Sequence, residues 1–345
     1  MMRSFIYKAT HWEYWPYQII YIPIAFQWLY YSLRSGSLFF FNASNPSFKN
    51  GGFFMESKKE IYNLIPQKHY PKTILIKENT AIHIVQKEIK QNQFSYPIIA
   101  KPDIGLRGNA VKKIHNEQEL EKYIQKSNFD YLIQEFIPLK NEIGIFYVRF
   151  PNQENGKITG IVKKEFLTIT GDGNSTIIKL LNQNPRYKLQ IKALTAELGN
   201  KLFEIPEKGK ILNLVPYGNH ARGAKFIDAD SMKTEKLEIV INNICKQISG
   251  FHYGRIDLMY NTIQELEEGK NYSIIEVNGA ASEPTHIYDP KHSIFFAWKE
   301  IARHIHYMYK ISLQNKKKGT SYLDFKDGVL QLKLQLQQNN KITNF

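Results

Sequence analysis

The sequence predicts an α+β fold in which antiparallel hairpins alternate with helices. The clearest sign is a pair of apolar strands at residues 254–260 and 271–277, separated by a polar hairpin loop. A second hairpin is indicated by Asn155-Gly156, a dipeptide typical of tight turns, which precedes a strand at 158–166. Hairpins mixed with helices do not favour a doubly wound parallel sheet. The chain has neither a Rossmann fingerprint nor a Walker phosphate loop, so a nucleotide would have to bind in another way.

From Gly51 onward the predicted elements alternate along the chain. Apolar residues recur at helical spacing in segments 58–64, 80–90, 117–125, 176–181, 235–249 and 294–309. Compact or alternating apolar runs predict strands at 73–76, 96–100, 110–114, 131–137, 143–150, 158–166, 211–215, 254–260 and 271–277. Asn116 and Ser175 precede two of the helices and are residue types that cap helix N-termini.

Composition and charge limit the class of protein. Of the 345 residues 43% are hydrophobic and 23% are charged, which is typical of globular proteins. The single cysteine, Cys245, excludes an internal disulfide and suits a reducing compartment, so we expect a cytoplasmic protein.

The net charge of +14 indicates an anionic partner. We expect no nucleic acid, because the basic residues are dispersed and no DNA- or RNA-binding signature is present; nucleotide phosphates or an anionic membrane surface account for the charge equally well.

Residues 11–41 form an aromatic, nearly uncharged stretch. Segment 17–33 approaches the length of a membrane-spanning helix, but Gln18, Pro23 and Gln27 interrupt it. Three interpretations stay open: a helical cover packed on the domain, a segment lying on the inner face of the membrane, and a membrane span. The cover is the favoured interpretation.

Two strands carry a set of oxygen donors. Alternation places Arg255 and Asp257 on one face of the first strand, and Glu276 and Asn278 on one face of the second. Pairing as a hairpin brings Asp257, Glu276 and Asn278 together beside Arg255. Such a set suits Mg²⁺ that bridges phosphate oxygens, because Mg²⁺ takes few protein ligands. The alternative is an exposed polar face of an edge hairpin.

Two further segments suit a nucleotide. Lys101 ends a buried strand and is followed by a polar loop with Gly105 and Gly108, whose backbone N–H groups could face phosphates. A solvated lysine before a turn is the alternative. The strand at 131–137 can offer backbone groups to an adenine, with Glu135 accepting from the exocyclic amine. An ordinary buried strand is the alternative there.

The order of these segments, from about Lys58 to Pro290, resembles the ATP-grasp superfamily, most closely the D-alanine–D-alanine ligases and in part cyanophycin synthetase. The strongest match is GRIDLMY at 254–260 followed by IIEVN at 274–278. The resemblance implies two α+β subdomains that grip ATP. It divides the chain into an aromatic N-terminal segment, an N-terminal ATP-grasp part with the adenine hinge, a C-terminal part with the metal site and a polar tail, at residues 1–50, 51–160, 161–312 and 313–345.

The same resemblance implies roles for individual residues. Asp257, Glu276 and Asn278 would hold Mg²⁺, or Mn²⁺ in its place, and Arg255 would stabilise the charge on the transferred groups. Nucleotide contacts would come from Lys58, Lys101, the lid residues Gly105, Arg107 and Gly108, the hinge residues Gln134, Glu135 and Ile137, and the ribose ligand Glu142.

Weaker matches add five candidates. Gly171-Asp172-Gly173 resembles a segment of cyanophycin synthetase, which implies that Lys163 or Lys164 lies near the phosphates. The loop at 219–225 resembles a lid over the γ-phosphate and contains Arg222 and Lys225. His286, eight residues after Asn278, falls where the ligases bind the second substrate. A solvated or structural histidine is the alternative for His286.

The resemblance implies a Mg²⁺- and ATP-dependent enzyme that joins a small-molecule or peptide carboxylate to an amine, or to a thiol, through an acyl phosphate. The substrates do not follow, because the loop after Asn278 reads GAASE where the ligases have Thr-Ser-Pro-Gly, and the aromatic segment stands where they have an N-terminal domain. Two alternatives stay open. One is a kinase on the same scaffold with no amine acceptor. The other is a non-catalytic ATP-binding protein that contacts the membrane peripherally through residues 11–41.

Overall fold

The computed structural model describes residues 2–106, 108–215, 218, 220 and 223–345. The helices of this part of the chain are α1 (Met2–Thr10), α2 (Tyr17–Ser35), α3 (Lys58–Tyr62), α4 (Ile82–Gln91), α5 (Glu117–Lys126), α6 (Ile177–Gln183), α7 (Pro185–Lys188), α8 (Ile191–Leu198), α9 (Glu235–Lys246), α10 (Ile263–Glu267), α11 (Ile294–Lys317) and α12 (Phe325–Thr343). Its strands are β1 (Thr73–Ile76), β2 (Ile98–Pro102), β3 (Lys112–Ile114), β4 (Tyr131–Glu135), β5 (Asn141–Val148), β6 (Lys157–Glu165), β7 (Thr168–Thr170), β8 (Ile211–Asn213), β9 (Lys225–Asp228), β10 (Tyr253–Tyr260) and β11 (Tyr272–Asn278).

The strands form two main sheets. The larger sheet has the order β11-β10-β5-β6-β9, the smaller one β1-β4-β2-β3, and β7 pairs separately with β8. Every pairing is antiparallel. The predicted α+β class with antiparallel sheets is therefore confirmed.

Alternation along β5 explains how the larger sheet is covered on both faces. Ile143, Ile145 and Tyr147 point to one face and pack with α9 in a buried apolar cluster. Phe146 and Val148 point to the other face, where they join the core formed with α2 and α11. Glu142 lies on that second face but borders an open cleft, so the same face is apolar at one end and polar at the other.

The smaller sheet has its own core. Residues of α4 and α5, such as Val85 and Leu120, cover it. The predicted boundary at residue 160 differs from this arrangement, because it falls inside β6, and β6 pairs with β5 in the larger sheet. A third apolar cluster joins α6 and α8 with the β7–β8 pair within residues 167–215.

The aromatic N-terminal segment packs on the larger sheet's helices. Helix α2 continues through Pro23 and ends where Gly36 adopts the left-handed conformation (φ 69°). Ile20, Ile24 and Tyr31 are buried against the α11 side of the core. Within the described part of the chain, no helix combines the length and apolar content needed to cross a membrane.

The C-terminus departs from the expected polar tail at 313–345. Helix α11 extends to Lys317, and α12 follows after Asp324, whose side chain accepts from the backbone N–H of Asp327. Ile342 is buried in the core of the smaller sheet, and Phe345 contacts that core. The sequence pattern did not indicate this helix, because Leu330, Leu332, Leu334 and Leu336 alternate with polar residues, which is the period of a strand.

Candidate functional site

A cleft of about 1180 Å³ is lined by residues of both sheets. The larger sheet contributes Asp257, Glu276 and Asn278, and the smaller sheet contributes Lys101 and Gln134. Side chains from both chain termini, including Tyr14 and Gln335, also line it. The cleft is therefore enclosed by parts of the chain that are distant in sequence.

The predicted oxygen donors lie together on strands β10 and β11. Asp257 is directly opposite Glu276 in the antiparallel register, and Arg255 is directly opposite Asn278. Directly opposite residues of an antiparallel pair share one face of the sheet. The alternation seen in the sequence thus produces one cluster of two carboxylates, an amide and a guanidinium.

Asp257 is buried and is held by two cations. Arg255 donates from Nε to Oδ1 at 2.7 Å and from Nη2 to Oδ2 at 3.0 Å. The Lys164 ammonium lies 3.1 Å from Oδ2. Burial raises the pKa of Asp257, but the charges of Arg255 and Lys164 outweigh burial and bring this pKa to about 2. A Cβ at Gly144, the residue opposite on β5, would lie 2.8 Å from Oδ1, so glycine leaves the space that the carboxylate needs.

Glu276 faces the cleft more openly. Its side chain is 32% exposed, and Oε1 lies 3.3 Å from Nζ of Lys58. Burial raises the pKa of Glu276, but the charge of Lys58 contributes to a net lowering. Lys58 starts α3, whose N-terminus is capped by the Ser57 side chain. The cap fixes the first turn of α3 and so directs the lysine towards β11.

Lys101 is a buried cation on the opposite wall. Its Nζ donates to Gln134 Oε1 at 2.8 Å, to the Ile275 carbonyl at 3.0 Å and to the Tyr62 hydroxyl at 3.1 Å. Burial lowers the pKa of Lys101 to about 7. Gln134, expected in the adenine hinge, is itself buried and uses its side chain for Lys101, Tyr62 and Thr73. Glu135 and Ile137 line the cleft beside it.

Glu142, expected at the ribose, forms a buried ion pair with Lys164 at 2.7 Å. Its other oxygen accepts from the backbone N–H of Gly218 at 2.9 Å. Lys164 therefore joins Glu142 and Asp257 in one line of charges along β6, β5 and β10. Lys163 lies on the opposite face of β6, since adjacent strand residues alternate, and does not line the cleft.

The glycine loop, which contains Gly105 and Gly108, adjoins Lys58. Gly105 and Gly108 both line the cleft. A Cβ at Gly105 would lie 2.6 Å from Lys58 Nζ, so glycine allows the loop to approach that ammonium closely. Arg107, expected in the same lid, is outside the described residues.

Two further candidates, His286 and Lys225, do not line the cleft. His286 is 3% exposed, contacts Gly160 and lies 3.4 Å from the Glu300 carboxylate. It belongs to the interior between β6 and α11 and does not line the cleft. Lys225 is exposed on β9, away from the cleft lining. Arg222 is outside the described residues.

Three carboxylates that line the cleft escaped the sequence reasoning, namely Glu13, Glu56 and Glu283. Glu56 Oε1 accepts from the Gly279 backbone N–H at 2.7 Å, and burial raises the pKa of Glu56 to about 8. Glu283 accepts from the hydroxyls of Tyr21 and Tyr288. The sequence contains one signal that could have singled out Glu13 and Glu56: they are the only acidic residues in the first 56 positions.

The donor set decides whether Mg²⁺ fits this cluster. Asp257, Glu276 and Asn278 offer carboxylate and amide oxygens, the ligands that Mg²⁺ prefers. The side-chain nitrogen of Asn278 is buried and has no hydrogen-bond partner. No neighbouring group therefore fixes this amide through its nitrogen. Among the described residues no three His, Cys, Asp or Glu side chains form a metal-binding group, but Mg²⁺ completes its shell with phosphate and water and does not need three. The residues present therefore fit Mg²⁺.

Fold and cleft together define an α+β protein whose cations and carboxylates converge between two antiparallel sheets. Solved structures similar to this chain include D-alanine–D-alanine ligase from Bacillus anthracis (15% identity, TM-score 0.44, 76% of this chain and 69% of that chain). They also include VanG D-Ala:D-Ser ligase from Enterococcus faecalis (17%, 0.42, 73% and 61%) and a bifunctional glutathione synthetase from Pasteurella multocida (15%, 0.36, 67% and 33%).

These structures are ATP-grasp enzymes, the superfamily that the sequence motifs resemble. The chain spans only 33% of the glutathione synthetase and 61% of the VanG ligase. No protein-family model matches the sequence, and no curated protein sequence matches it.

Proposed function

We propose that this protein is an ATP- and Mg²⁺-dependent ligase that joins a carboxylate to an amine, or to a thiol, through an acyl phosphate. The observation that carries the proposal is the register of β10 and β11. It sets Asp257 opposite Glu276 and Arg255 opposite Asn278, in a cleft that also contains Lys58 and Lys101. Oxygen donors for a metal and cations for phosphates are the combination that phosphoryl transfer requires.

The nucleotide would lie along the wall formed by β2 and β4. Glu135 and Ile137 offer the end of β4 to the adenine, and Lys101 and Lys58 lie where the phosphates would follow. Backbone N–H groups of the loop at Gly105 and Gly108 would complete the phosphate contacts. Glu142 is already paired with Lys164, so a ribose contact would need one of its oxygens to exchange a partner.

Asp257, Glu276 and Asn278 would hold Mg²⁺, which neutralises phosphate charge when bound. Arg255 and Lys164 keep Asp257 ionised over the whole neutral range, because they hold its pKa near 2. The guanidinium of Arg255 lies on the same face of the sheet as these donors. It can therefore stabilise negative charge on the transferred phosphoryl group and on the acyl oxygen.

The reaction would proceed in two displacements. A substrate carboxylate oxygen forms a bond to the γ-phosphorus of ATP while the bridging P–O bond breaks, which gives an acyl phosphate and ADP. The amine nitrogen then bonds to the acyl carbon, the C–O bond to phosphate breaks, and the amine proton passes to solvent. A protein nucleophile is not needed, and the only cysteine, Cys245, is fully buried.

The test is ADP release with Mg²⁺, ATP and a panel of amino acids and dipeptides. We compare the wild type with Glu276→Gln, which removes one metal-binding charge without changing side-chain size. Glu268→Gln is the matched control, because Glu268 is an exposed carboxylate in the loop that joins the same two strands. We expect substrate-dependent release in the wild type and the control, and a loss of about a hundredfold or more in Glu276→Gln.

The outcomes separate the three candidate functions. Release that needs both a carboxylate and an amine or thiol supports the ligase. Release that needs only one substrate identifies a kinase. Mg²⁺-dependent binding of ATP without release under any condition identifies a binding protein, and failure to bind ATP overturns the nucleotide site.

A further inference from the structure

Helix α2 is fixed to the body of the protein along one face. Ile20, Ile24 and Tyr31 are buried there. The indole of Trp298 on α11 donates to the Ile20 carbonyl at 2.9 Å, and the Gln27 amide donates to the Ala302 carbonyl at 2.9 Å. These bonds hold α2 in place and determine which of its residues remain outside.

The opposite face of α2 is apolar and exposed. Its large side chains are 47–75% exposed and recur every three or four residues, as expected for one stripe of a helix, namely Ile19, Ile22, Phe26, Leu29, Tyr30 and Leu33. Phe295 of α11 is 73% exposed and contacts Trp298, which bonds to α2. We call this set of seven side chains the α2 face. Contiguous apolar surfaces of this kind mark interaction sites.

Among the described side chains of residues 1–55 and of α11, every exposed charge is basic. Residues 1–55 contain one acidic residue, Glu13, which is buried and paired with Arg186 at 2.7 Å. Helix α11 contains one acidic residue, Glu300, which is also buried. Exposed basic residues remain: Arg34 adjoins Leu33, and Lys299 lies one turn after Phe295 on α11.

An apolar stripe with basic neighbours fits an anionic lipid surface. The apolar side chains would enter the boundary between headgroups and acyl chains, and the basic residues would contact the headgroups. A second copy of this chain fits less well, since each copy carries a net charge of +14 and would bring its own Arg34 and Lys299 to the contact. The charge complementarity therefore favours lipid.

We propose that the α2 face docks this protein onto the surface of an anionic membrane. Trp15, which precedes α2, and Tyr17 and Ile20 in its first turn also line the cleft. Docking would therefore place one mouth of the cleft next to the lipid surface. The proposal is independent of the chemistry in the cleft and can be tested without nucleotide.

The test is sedimentation of the full-length chain with vesicles of phosphatidylcholine alone or mixed with an equal share of phosphatidylglycerol. The variant Phe26→Glu/Leu33→Glu places two charges on the α2 face at positions that are 73% and 75% exposed, so folding should be unaffected. Ile239→Glu is the matched control, because Ile239 is 53% exposed on α9, against the other face of the larger sheet. Thermal melting of all three proteins checks the fold.

We expect the wild type and Ile239→Glu to bind anionic vesicles, with partitioning that weakens at high salt. The partition coefficient of the double variant onto anionic vesicles should be lower by about tenfold or more. Absence of binding to anionic vesicles, or equal binding by the double variant, would overturn the proposal. So would a wild-type dimer, measured by light scattering without vesicles, that becomes a monomer in the double variant, because the α2 face would then join two copies.

Discussion

At the scale of single residues, the cleft is organised by how each buried charge is compensated. Asp257 and Glu142 have cationic partners within 3.1 Å, so their desolvation is offset by ion pairing. Lys101 differs, because its ammonium donates to three uncharged oxygens. Uncharged acceptors satisfy its hydrogen bonds but do not restore the lost hydration of the charge, and its pKa falls to about 7. An incoming phosphate would supply the missing anion.

This difference predicts a pH dependence of ATP binding. Below pH 7 Lys101 is protonated and attracts phosphate; above pH 7 it becomes neutral and the attraction is lost. We expect the association constant for ATP, measured by calorimetry, to fall about tenfold between about pH 6 and about pH 9. Lys101→Arg is the control, since arginine stays charged over this range and the titration of ATP itself is common to both proteins. A parallel fall in both proteins would contradict the assigned role of Lys101.

The sequence predicted part of this site and could not predict the rest. That Asp257, Glu276 and Asn278 lie together was predictable, because alternation along two strands that pair as a hairpin determines which side chains share a face. The pairing of Lys164 with both Glu142 and Asp257 was not, because it depends on the register of β6, β5 and β10. Spacing also could not separate Lys163 from Lys164 or show that His286 is buried between β6 and α11.

At the scale of elements, the C-terminal helix α12 links two parts of the molecule. Gln335 accepts from the Met55 backbone N–H at 2.7 Å, and Gln338 donates to the Ile104 carbonyl of the glycine loop at 3.4 Å. Further along, Lys341 pairs with Glu78 at 2.7 Å, and Ile342 is buried in the smaller sheet's core. Composition predicted only a polar tail, because it does not show which polar residues bond to specific backbone groups.

The substitution Gly328→Ala tests whether α12 is tightly packed. Glycine to alanine inside a helix ordinarily stabilises by about 1 kcal/mol. Here the added Cβ would lie 2.2–2.5 Å from the ring of Phe39, and that ring is enclosed by Phe41, Phe54 and Phe325. We expect Gly328→Ala to lower the free energy of unfolding by about 1–2 kcal/mol in urea, because overpacking outweighs helix propensity. Lys333→Ala, at an exposed position of α12, is the control; a more stable Gly328→Ala would show that α12 is free to shift.

At the scale of the whole molecule, the two chain termini join parts that sequence analysis assigned to separate domains. The N-terminal segment contacts α11 through α2 and reaches α7 through Glu13, while α12 reaches the smaller sheet. Such contacts between residues far apart in the chain leave no local pattern, so the α+β class was predictable and the domain arrangement was not. The cleft walls near Tyr14 and Gln335 therefore depend on both termini being in place.

The Glu13–Arg186 pair is the sharpest test of this dependence. Both residues are buried, Arg186 also donates to the Ala224 carbonyl at 2.8 Å, and its Nε has no hydrogen-bond partner. Glu13→Gln keeps the side-chain size but leaves the guanidinium charge buried without its anion, which costs about 3 kcal/mol. We expect urea unfolding to detect this loss and hydrogen exchange to rise in residues 167–215, which share the cluster next to α7.

Glu154→Gln is the control: it removes a surface pair with Lys246 and should change the free energy of unfolding by about 0–1 kcal/mol. Equal effects of the two substitutions would mean that the N-terminal segment does not hold this subdomain in place, and that the cleft wall at Tyr14 forms without the ion pair.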